Sequence, residues 1–455
     1  TRLRGAMISG LPDLLQRYAA TRGDNLAVVA GRDDAITATQ LNAAAWRGME
    51  ELRGMGIAAG NVVALHGEPG PAWLAALCAC WRLGAIAAPI NHRLVAAERE
   101  RDAAVLGCDT HWTPLAENLL ADAGAGPAEP GEWGLQQPLL RVCTSGSTGR
   151  PRCVEITLEQ LWFNTLGSNL RLGHRRDDCW LVCLPVNHIG ALAAIFRGLH
   201  NRITVELMPV FDAAAVGGRL DSGQVSLVSL VPAMLDSILD SRGEAAFATQ
   251  LRAILLGGAA CSERLLERCR SAGLPVALSW GMTETASQVA TRKPGELGPL
   301  REGIPALPWV RVSADDEGNL VVRAPAARGE LVTDDLGEIT ATGNVRVLGR
   351  RDDVINRGGE KIHPGEIEAV LESHPLVDEA VVIAEDDARL GQVPVAFVRS
   401  TEADPEALRQ WCRKHLAGYK IPERIEVLAD FPRTGPGKVD RNALRAMLAI
   451  KGQFT

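Results

Sequence analysis

The chain has 455 residues, a length that calls for two or three domains rather than one core. Hydrophobic residues at 46% and charged residues at 23% are an ordinary globular balance, and a formal net charge of -7 excludes nucleic-acid binding driven by global positive charge. No run approaches the roughly eighteen apolar residues of a membrane helix, and the N-terminal "TRLRGAMISGLPDLLQRYAATRGD" has no signal-peptide core, so a cytoplasmic protein is expected.

Residues 62–90 read as strand, helix, strand: "VVALH", then "PAWLAALCACWRLG" with proline at its start, then "AIAAPI". The segment 141–157, "RVCTSGSTGRPRCVEIT", follows an apolar strand and precedes another in which Val154 and Ile156 alternate, so it predicts a hairpin-like loop. Its Gly, Ser and Thr offer unhindered N–H groups and hydroxyls, with arginine at the end. Taken alone, it reads as a surface turn or as an anion cradle; it lacks the Walker A pattern.

The strand-helix alternation returns in "VSLVSLV", "PAMLDSIL", "LRAILLGG", "SERLLERCRSAG" with Ser262 as candidate cap, and "PVALSW". Strands alternating with helices predict an α/β fold of parallel sheets covered on both faces, with ligands beyond the strand C-terminal ends. From about Arg311 to Leu348, short alternating segments predict an antiparallel β unit. Beyond Gly349 a compact α+β pattern follows: the helix "HPGEIEAVLESHP" with Ile367, Val370 and Leu371 on one face, strands "AVVIA" and "PVAFV", and the helix "PEALRQWCRKHL". The expected division is a large domain over 1–349, containing the β unit at 311–348, and a small domain over 350–455.

The ten cysteines contain no Cys-x-x-Cys and one close pair, Cys78 and Cys80, so neither a zinc site nor a disulfide framework is expected, and most should be buried thiols. Basic residues are mostly arginine; the lysines are Lys293, Lys361, Lys414, Lys420, Lys438 and Lys451.

Seven segments occur in a telling order: "CTSGSTGRPR" (143–152), "LPVNHIG" (184–190), "LLGGAA" (255–260), "WGMTETASQ" (280–288), "LVTDDLGE" (331–338), "GRRDDVINRGGEKIHPGEIE" (349–368) and "RTGPGKVDR" (433–441). Together they resemble the ANL superfamily of adenylate-forming enzymes, from roughly residue 35 to residue 445. The resemblance implies a large N-terminal domain, a mobile C-terminal domain, and activation of a carboxylate by ATP and Mg²⁺ before transfer to a thiol such as that of coenzyme A. It implies small-molecule substrates and no nucleic-acid or membrane partner, and it is compatible with a homo-oligomer.

By the same resemblance Thr144, Ser145, Gly146, Ser147, Thr148 and Gly149 wrap phosphates, with Arg152 where the family has lysine and Cys153 where it has glycine. Gly257, Gly258 and Ala259 line an adenine slot, continued through Trp280, Gly281 and Met282. Thr283 contacts the α-phosphate and Glu284 holds the metal. Asp335 and Arg350 bind the ribose, Asp334 replaces the usual glycine, and Lys438 bridges carboxylate and α-phosphate. Asp352 is the hinge, and Gly358 and Gly359 leave room for pantetheine. His188 gates the acyl pocket.

Within the superfamily, "GMTETASQ", "LLGGAA", "GELVTDDLGEI" and "GRRDDVINRGGEKIHPGEIEAVL" are similar to the o-succinylbenzoate:CoA ligases of menaquinone and phylloquinone biosynthesis. That substrate keeps one carboxylate free after activation. Arg197 in "LAAIFRGL" either snorkels from a helix surface or meets that carboxylate, with Ser287 and Gln288 adding neutral hydrogen bonds. An aryl or medium-chain acyl-CoA ligase, or a stand-alone adenylation domain loading a carrier protein, are the alternatives.

Overall fold

A computed structural model describes residues 9–31, 34–120, 131–145, 151–243, 247–358, 360–387, 389–434 and 437–451. Two helix-covered sheets form the bulk of the chain. The larger has eight strands in the spatial order Ser287–Thr291, Val276–Met282, Ala253–Leu256, Leu227–Leu230, Cys179–Val182, Thr204–Leu207, Leu26–Ala30 and Asp34–Thr37. Its interior pairs are parallel and its two outermost pairs antiparallel, a departure from the purely parallel pattern that strand-helix alternation predicts. Both exceptions are short connections, which can only return the chain antiparallel. The second sheet runs Thr110–Trp112, Val62–Leu65, Ile86–Pro89, Pro138–Ser145, Pro151–Thr157, and its last two strands make the expected hairpin around the Gly/Ser/Thr loop.

Near-continuous apolar strands such as "AILL" arise because both faces are covered. Trp180, Val182, Leu227 and Leu255 face a core shared with the second sheet, whereas Leu181, Val228, Leu230 and Leu256 face the opposite helices. The helices Pro71–Leu83, Leu158–Leu172 and Ile189–Asn201 contribute to the shared core. Pro71 in the first turn and Gly84 at φ 81° bound the first of these. Thr157 caps the second through a capping box with Gln160. Ser262 caps Glu263–Ser271 as expected, accepting from Leu265 N at 3.1 Å.

Four antiparallel strands follow, Arg311–Ala314, Asn319–Ala324, Gly329–Ile339 and Val345–Arg350, with their own apolar cluster around Leu320 and Val322. The C-terminal part folds on a five-stranded sheet that includes Ile355–Arg357, Glu379–Asp387 and Gly391–Arg399, packed by Ile367, Leu371, Leu408 and Cys412. Ion pairs seat it on the large part: Arg264 with Asp378 at 2.5 Å and Arg399 with Asp236 at 3.2 Å, the latter carboxylate also held by Arg268 from within the large part. Six of the ten cysteines are buried, all are free, and Cys153 is exposed.

Near the N-terminus Asp13 caps Leu14–Arg22 by accepting from Leu15 and Gln16 N–H groups and pairs with Arg82 at 2.7 Å, both side chains at most 3% exposed. Removing the carboxylate strands a buried guanidinium. Asp13→Ala should lower the unfolding free energy by about 3–5 kcal/mol in denaturant titration, against near zero for the exposed Glu50→Ala.

Candidate active site

Three adjacent parallel strands, Leu227–Leu230, Ala253–Leu256 and Val276–Met282, end along one edge, and the segments that leave the second and third carry Gly257, Gly258, Ala259, Thr283 and Glu284. Gly257 follows the middle strand, where a methyl group would come within 3.0 Å of the Ser279 carbonyl oxygen. Gly258 has φ +82°, so neither position accepts an ordinary side chain without strain. A methyl at Gly258 would also meet Lys438 Cε at 4.0 Å. The lysine of the C-terminal part therefore reaches into the end of the large sheet.

Its loop is built to present it. Thr434 N donates to Lys438 O at 2.8 Å, Gly437 N to Thr434 O at 2.8 Å, and Gly437 has φ +81°. Arg433 donates to Gly437 O at 3.2 Å and pairs with Glu379 at 2.5 Å, tying the turn to the small sheet. Burial holds the Lys438 ammonium below its ordinary pKa, the Arg350 guanidinium adds to this, and the Asp335 carboxylate opposes it. The half-buried His188, at the N-cap of Ile189–Asn201, is pushed down to about 4 by burial and then by Lys438. Lysine, histidine, aspartate and arginine thus share one cleft.

Asp335 sits where the strand Gly329–Ile339 bulges: Val332 pairs with Val321 and Leu336 with Asn319, leaving Thr333, Asp334 and Asp335 out of register. The Thr333 hydroxyl fills the gap, donating to Leu320 O at 2.8 Å and accepting from Asp335 N at 3.2 Å. Asp335 accepts from the Trp280 indole at 2.8 Å and from Arg350 at 3.3 Å. Asp334, in place of the usual glycine, keeps a negative φ and pairs with Arg350 at 3.3 Å and Arg351 at 3.1 Å. The aspartate is accommodated because no left-handed conformation is demanded there.

The turn after Val276–Met282 is the most constrained backbone in the site. Thr283–Thr285 is a single 3-10 turn, followed by Ala286 at φ 54° and Ser287 at φ 114°. Two consecutive non-glycine residues at positive φ cost of order 1–3 kcal/mol each and persist only when the surroundings over-determine them. Gly281 lies against the Ser287 backbone so closely that no Cβ fits. The holding groups are Gln160 and Asn164, which sequence reading missed. Gln160 Nε2 donates to Glu284 O at 3.0 Å and to Ala326 O at 2.9 Å; Asn164 Nδ2 donates to Thr285 O at 3.1 Å and to Gln288 O at 2.8 Å. Their signal was polar residues one helical turn apart on a helix face that buries Leu158, Leu161 and Thr165.

Arg197 is 0% exposed and does not snorkel. Its Nη2 donates to Asn164 Oδ1 at 2.6 Å, while Nε and Nη1 have no protein partner. Burial alone pulls its pKa down to about 9, with no carboxylate offsetting it. Gln288, 3% exposed, has both amide atoms unpartnered.

Not every expected residue joins this cleft. Gly146, Ser147, Thr148, Gly149 and Gly359 lie outside the described residues. Thr144 and the backbone of Ser145 end one strand of the hairpin and Arg152, exposed, begins the other, with the Thr144 hydroxyl 3.4 Å from Arg152 O. Gly358, at φ +60°, turns between two strands of the small sheet and donates to Leu390 O at 2.7 Å, so it belongs to the small part's own framework here. Asp352 is exposed in the 3-10 turn Arg351–Asp353, between the antiparallel β unit and the small sheet.

The AMP-binding enzyme family model matches residues 15–110 and 109–337, and that of the AMP-binding enzyme C-terminal domain matches 366–438. A 2-succinylbenzoate–CoA ligase of Bacillus thuringiensis subsp. konkukian (strain 97-27) is 33% identical over 486 residues, covering 97% of this chain and 99% of its own. The o-succinylbenzoate CoA synthetase of Bacillus subtilis is 30% identical. Its complexes with the acyl-adenylate OSB-AMP and with ATP and magnesium ion each superpose at a TM-score of 0.85, covering 96% of this chain and 98% and 100% of theirs. A double mutant of that enzyme bound to the product analogue OSB-NCoA reaches only 0.70 at 96% and 99% coverage. The chain superposes better on the nucleotide complexes, and its own arrangement places Lys438 beside His188.

That arrangement is testable through His188. In an NMR titration its ring should shift with a midpoint near 4, and Lys438→Met should raise the midpoint by removing a neighbouring positive charge. An unmoved midpoint would mean that the lysine is out of the cleft in solution.

Proposed function

The chain belongs to the AMP-binding enzyme family, and from that premise we propose that it ligates 2-succinylbenzoate to coenzyme A through an acyl-adenylate, releasing AMP and pyrophosphate. The observation that carries the choice of acid is Arg197. A fully buried guanidinium with two unpartnered N–H edges and no carboxylate beside it is costly in a resting protein. An acid that keeps a second carboxylate after activation supplies the missing partner, and the unpartnered Gln288 amide supports the same reading.

Carboxylate and triphosphate are both anions, so the site must neutralise and align them before they react. In this reading Lys438 bridges the reacting carboxylate and the α-phosphate, where charge concentrates as the new bond forms. Thr283 donates to the same phosphate, Asp335 and Arg350 fix the ribose, and Gly257, Gly258 and Ala259 with Trp280, Gly281 and Met282 form the adenine slot. His188, neutral at physiological pH, closes the acyl pocket without adding charge. The 144–149 loop and Arg152 grip the pyrophosphate.

Magnesium suits the donors. Glu284 is half-exposed, and no cluster of three ligating side chains converges among the described residues. Such a site fits an ion that takes one or two carboxylates and completes its shell from water and phosphate oxygens. When bound, the ion withdraws charge from the phosphates. For the thiol step, the reading assigns the hinge to Asp352 between a large domain ending at 349 and a small one from 350. Rotation about it would withdraw Lys438 and bring Gly358 and Gly359 to the pantetheine arm. No described helix is long and apolar enough to cross a membrane; the proposal includes a cytoplasmic enzyme acting on small molecules.

The deciding measurement is thioester formation with ATP, Mg²⁺ and coenzyme A over 2-succinylbenzoate, benzoate, cinnamate, hexanoate and amino acids. 2-Succinylbenzoate should be turned over with a clear advantage, and preference for a monocarboxylate would overturn the choice of acid. Arg197→Ala should lower kcat/KM for 2-succinylbenzoate at least about thirtyfold and spare benzoate. Lys438→Ala should slow pyrophosphate release about 10²–10³-fold, yet still convert supplied acyl-adenylate to thioester.

A further inference from the structure

We infer that Asn164 is a specificity-determining positioning residue: its one carboxamide orients Arg197 for the free carboxylate of the acid and ties that arginine to the turn carrying Thr283 and Glu284. The inference rests on the reading of Arg197 as the partner of a dicarboxylic acid and adds a residue that the family motifs do not contain.

Three hydrogen bonds leave the Asn164 side chain, and their polarity fixes its orientation. Oδ1 accepts from Arg197 Nη2 at 2.6 Å, and a guanidinium can only donate. Nδ2 donates to Thr285 O at 3.1 Å and Gln288 O at 2.8 Å, and carbonyls can only accept. A flipped amide would lose all three, so one geometry survives. Asn164 is 2% exposed, so bulk water does not compete for these bonds.

With Nη2 fixed, Nε and Nη1 are the donors left for a ligand. Nε–H and Nη1 lie on opposite sides of the Cδ methylene and share no edge, but Asn164 takes only one of the two Nη2 N–H bonds, and the second completes with Nε or with Nη1 the edge that meets a carboxylate through two parallel bonds. The guanidinium carbon also lies 5.5 Å from the centre of the Trp180 ring, whose indole is itself held by Ser229 at 3.1 Å. Gln288 completes the link: its backbone carbonyl is bound to Asn164 while its buried amide has no protein partner. One side chain therefore connects the groups awaiting the distal carboxylate with the backbone where the proximal one is activated.

Neither aspartate nor alanine can replace it. Aspartate would pair with Arg197 and cancel the charge the acid needs, while facing two carbonyl oxygens with no donor. Alanine would free the guanidinium and release the turn.

The test is steady-state kinetics on Asn164→Asp, Asn164→Ala, Arg197→Ala and the Arg197→Ala/Asn164→Asp double variant, with 2-succinylbenzoate and benzoate as acids. Because both variants also disturb the turn that carries Thr283 and Glu284, kcat should fall for both acids, and the reading lies in the acid KM: Asn164→Asp should raise KM for 2-succinylbenzoate about tenfold or more and Asn164→Ala several-fold, with KM for benzoate changing by less than about threefold. In the Arg197→Ala background, Asn164→Asp should change KM for 2-succinylbenzoate by less than about twofold, because its effect runs through the arginine. The inference is overturned if both Asn164 variants keep KM for 2-succinylbenzoate within twofold of wild type, if KM for the two acids rises together, or if the two substitutions add fully. A general loss of fold, which thermal melting reads separately, would appear in KM for both acids and so counts among these overturning results. Failure of the underlying reading looks different: wild type would prefer a monocarboxylate and Arg197→Ala would leave the acid KM unchanged.

Discussion

Two carboxamides on the helix Leu158–Leu172 hold the backbone on which the site is assembled. Gln160 and Asn164 bind the carbonyls of Glu284, Thr285 and Gln288, and thereby keep Ala286 and Ser287 in left-handed conformations that neither residue prefers. Gln160 also closes the capping box at the start of its helix, so one side chain both begins the helix and restrains the turn. The geometry of Thr283 and Glu284 depends on this restraint, because a relaxed turn would re-aim both side chains.

Charge is the second organising theme. Burial opposes the ionisation of Lys438 in the cleft and of Arg197, which Asn164 links to the Thr283 turn, while the exposed Arg350 pairs with the carboxylates of Asp334 and Asp335. Low local polarity makes these cations costly at rest and strong partners for anions that displace the last water. Burial shifts His188 in the same direction, and because an imidazole starts from a lower pKa it is left neutral. The ion pairs Arg264–Asp378 and Arg399–Asp236 seat the small sheet so that Lys438 can reach the cleft. They are partly exposed and individually weak, which suits a surface that must also release.

Much of this was legible in the residues. Period-two apolar runs foretold the strands, proline and Ser262 foretold helix starts, and the Gly/Ser/Thr hairpin was apparent from the strands on either side. Asp335, Arg350, Gly258 and Lys438 were each recognisable from a motif, and the structure brings them within reach of one another. Gln160 and Asn164 were not, because a buried amide and a solvated one look identical in a helix of mixed polarity. Arg197 was visible only as a choice between surface and pocket, and burial resolved it.

The sequence by itself determined the local conformations and the order of strands and helices, since these follow from propensity, spacing and charge within a few residues, and its motifs named the candidate site residues. Only the tertiary structure decided that the sheet edges turn antiparallel, that Asp334 is tolerated beside a bulge, and that Asn164 links Arg197 to the Thr283 turn. The last of these depends on groups 33 and 121 positions apart meeting where bulk water does not reach. There, an unmatched donor or acceptor costs more than any local preference can offset.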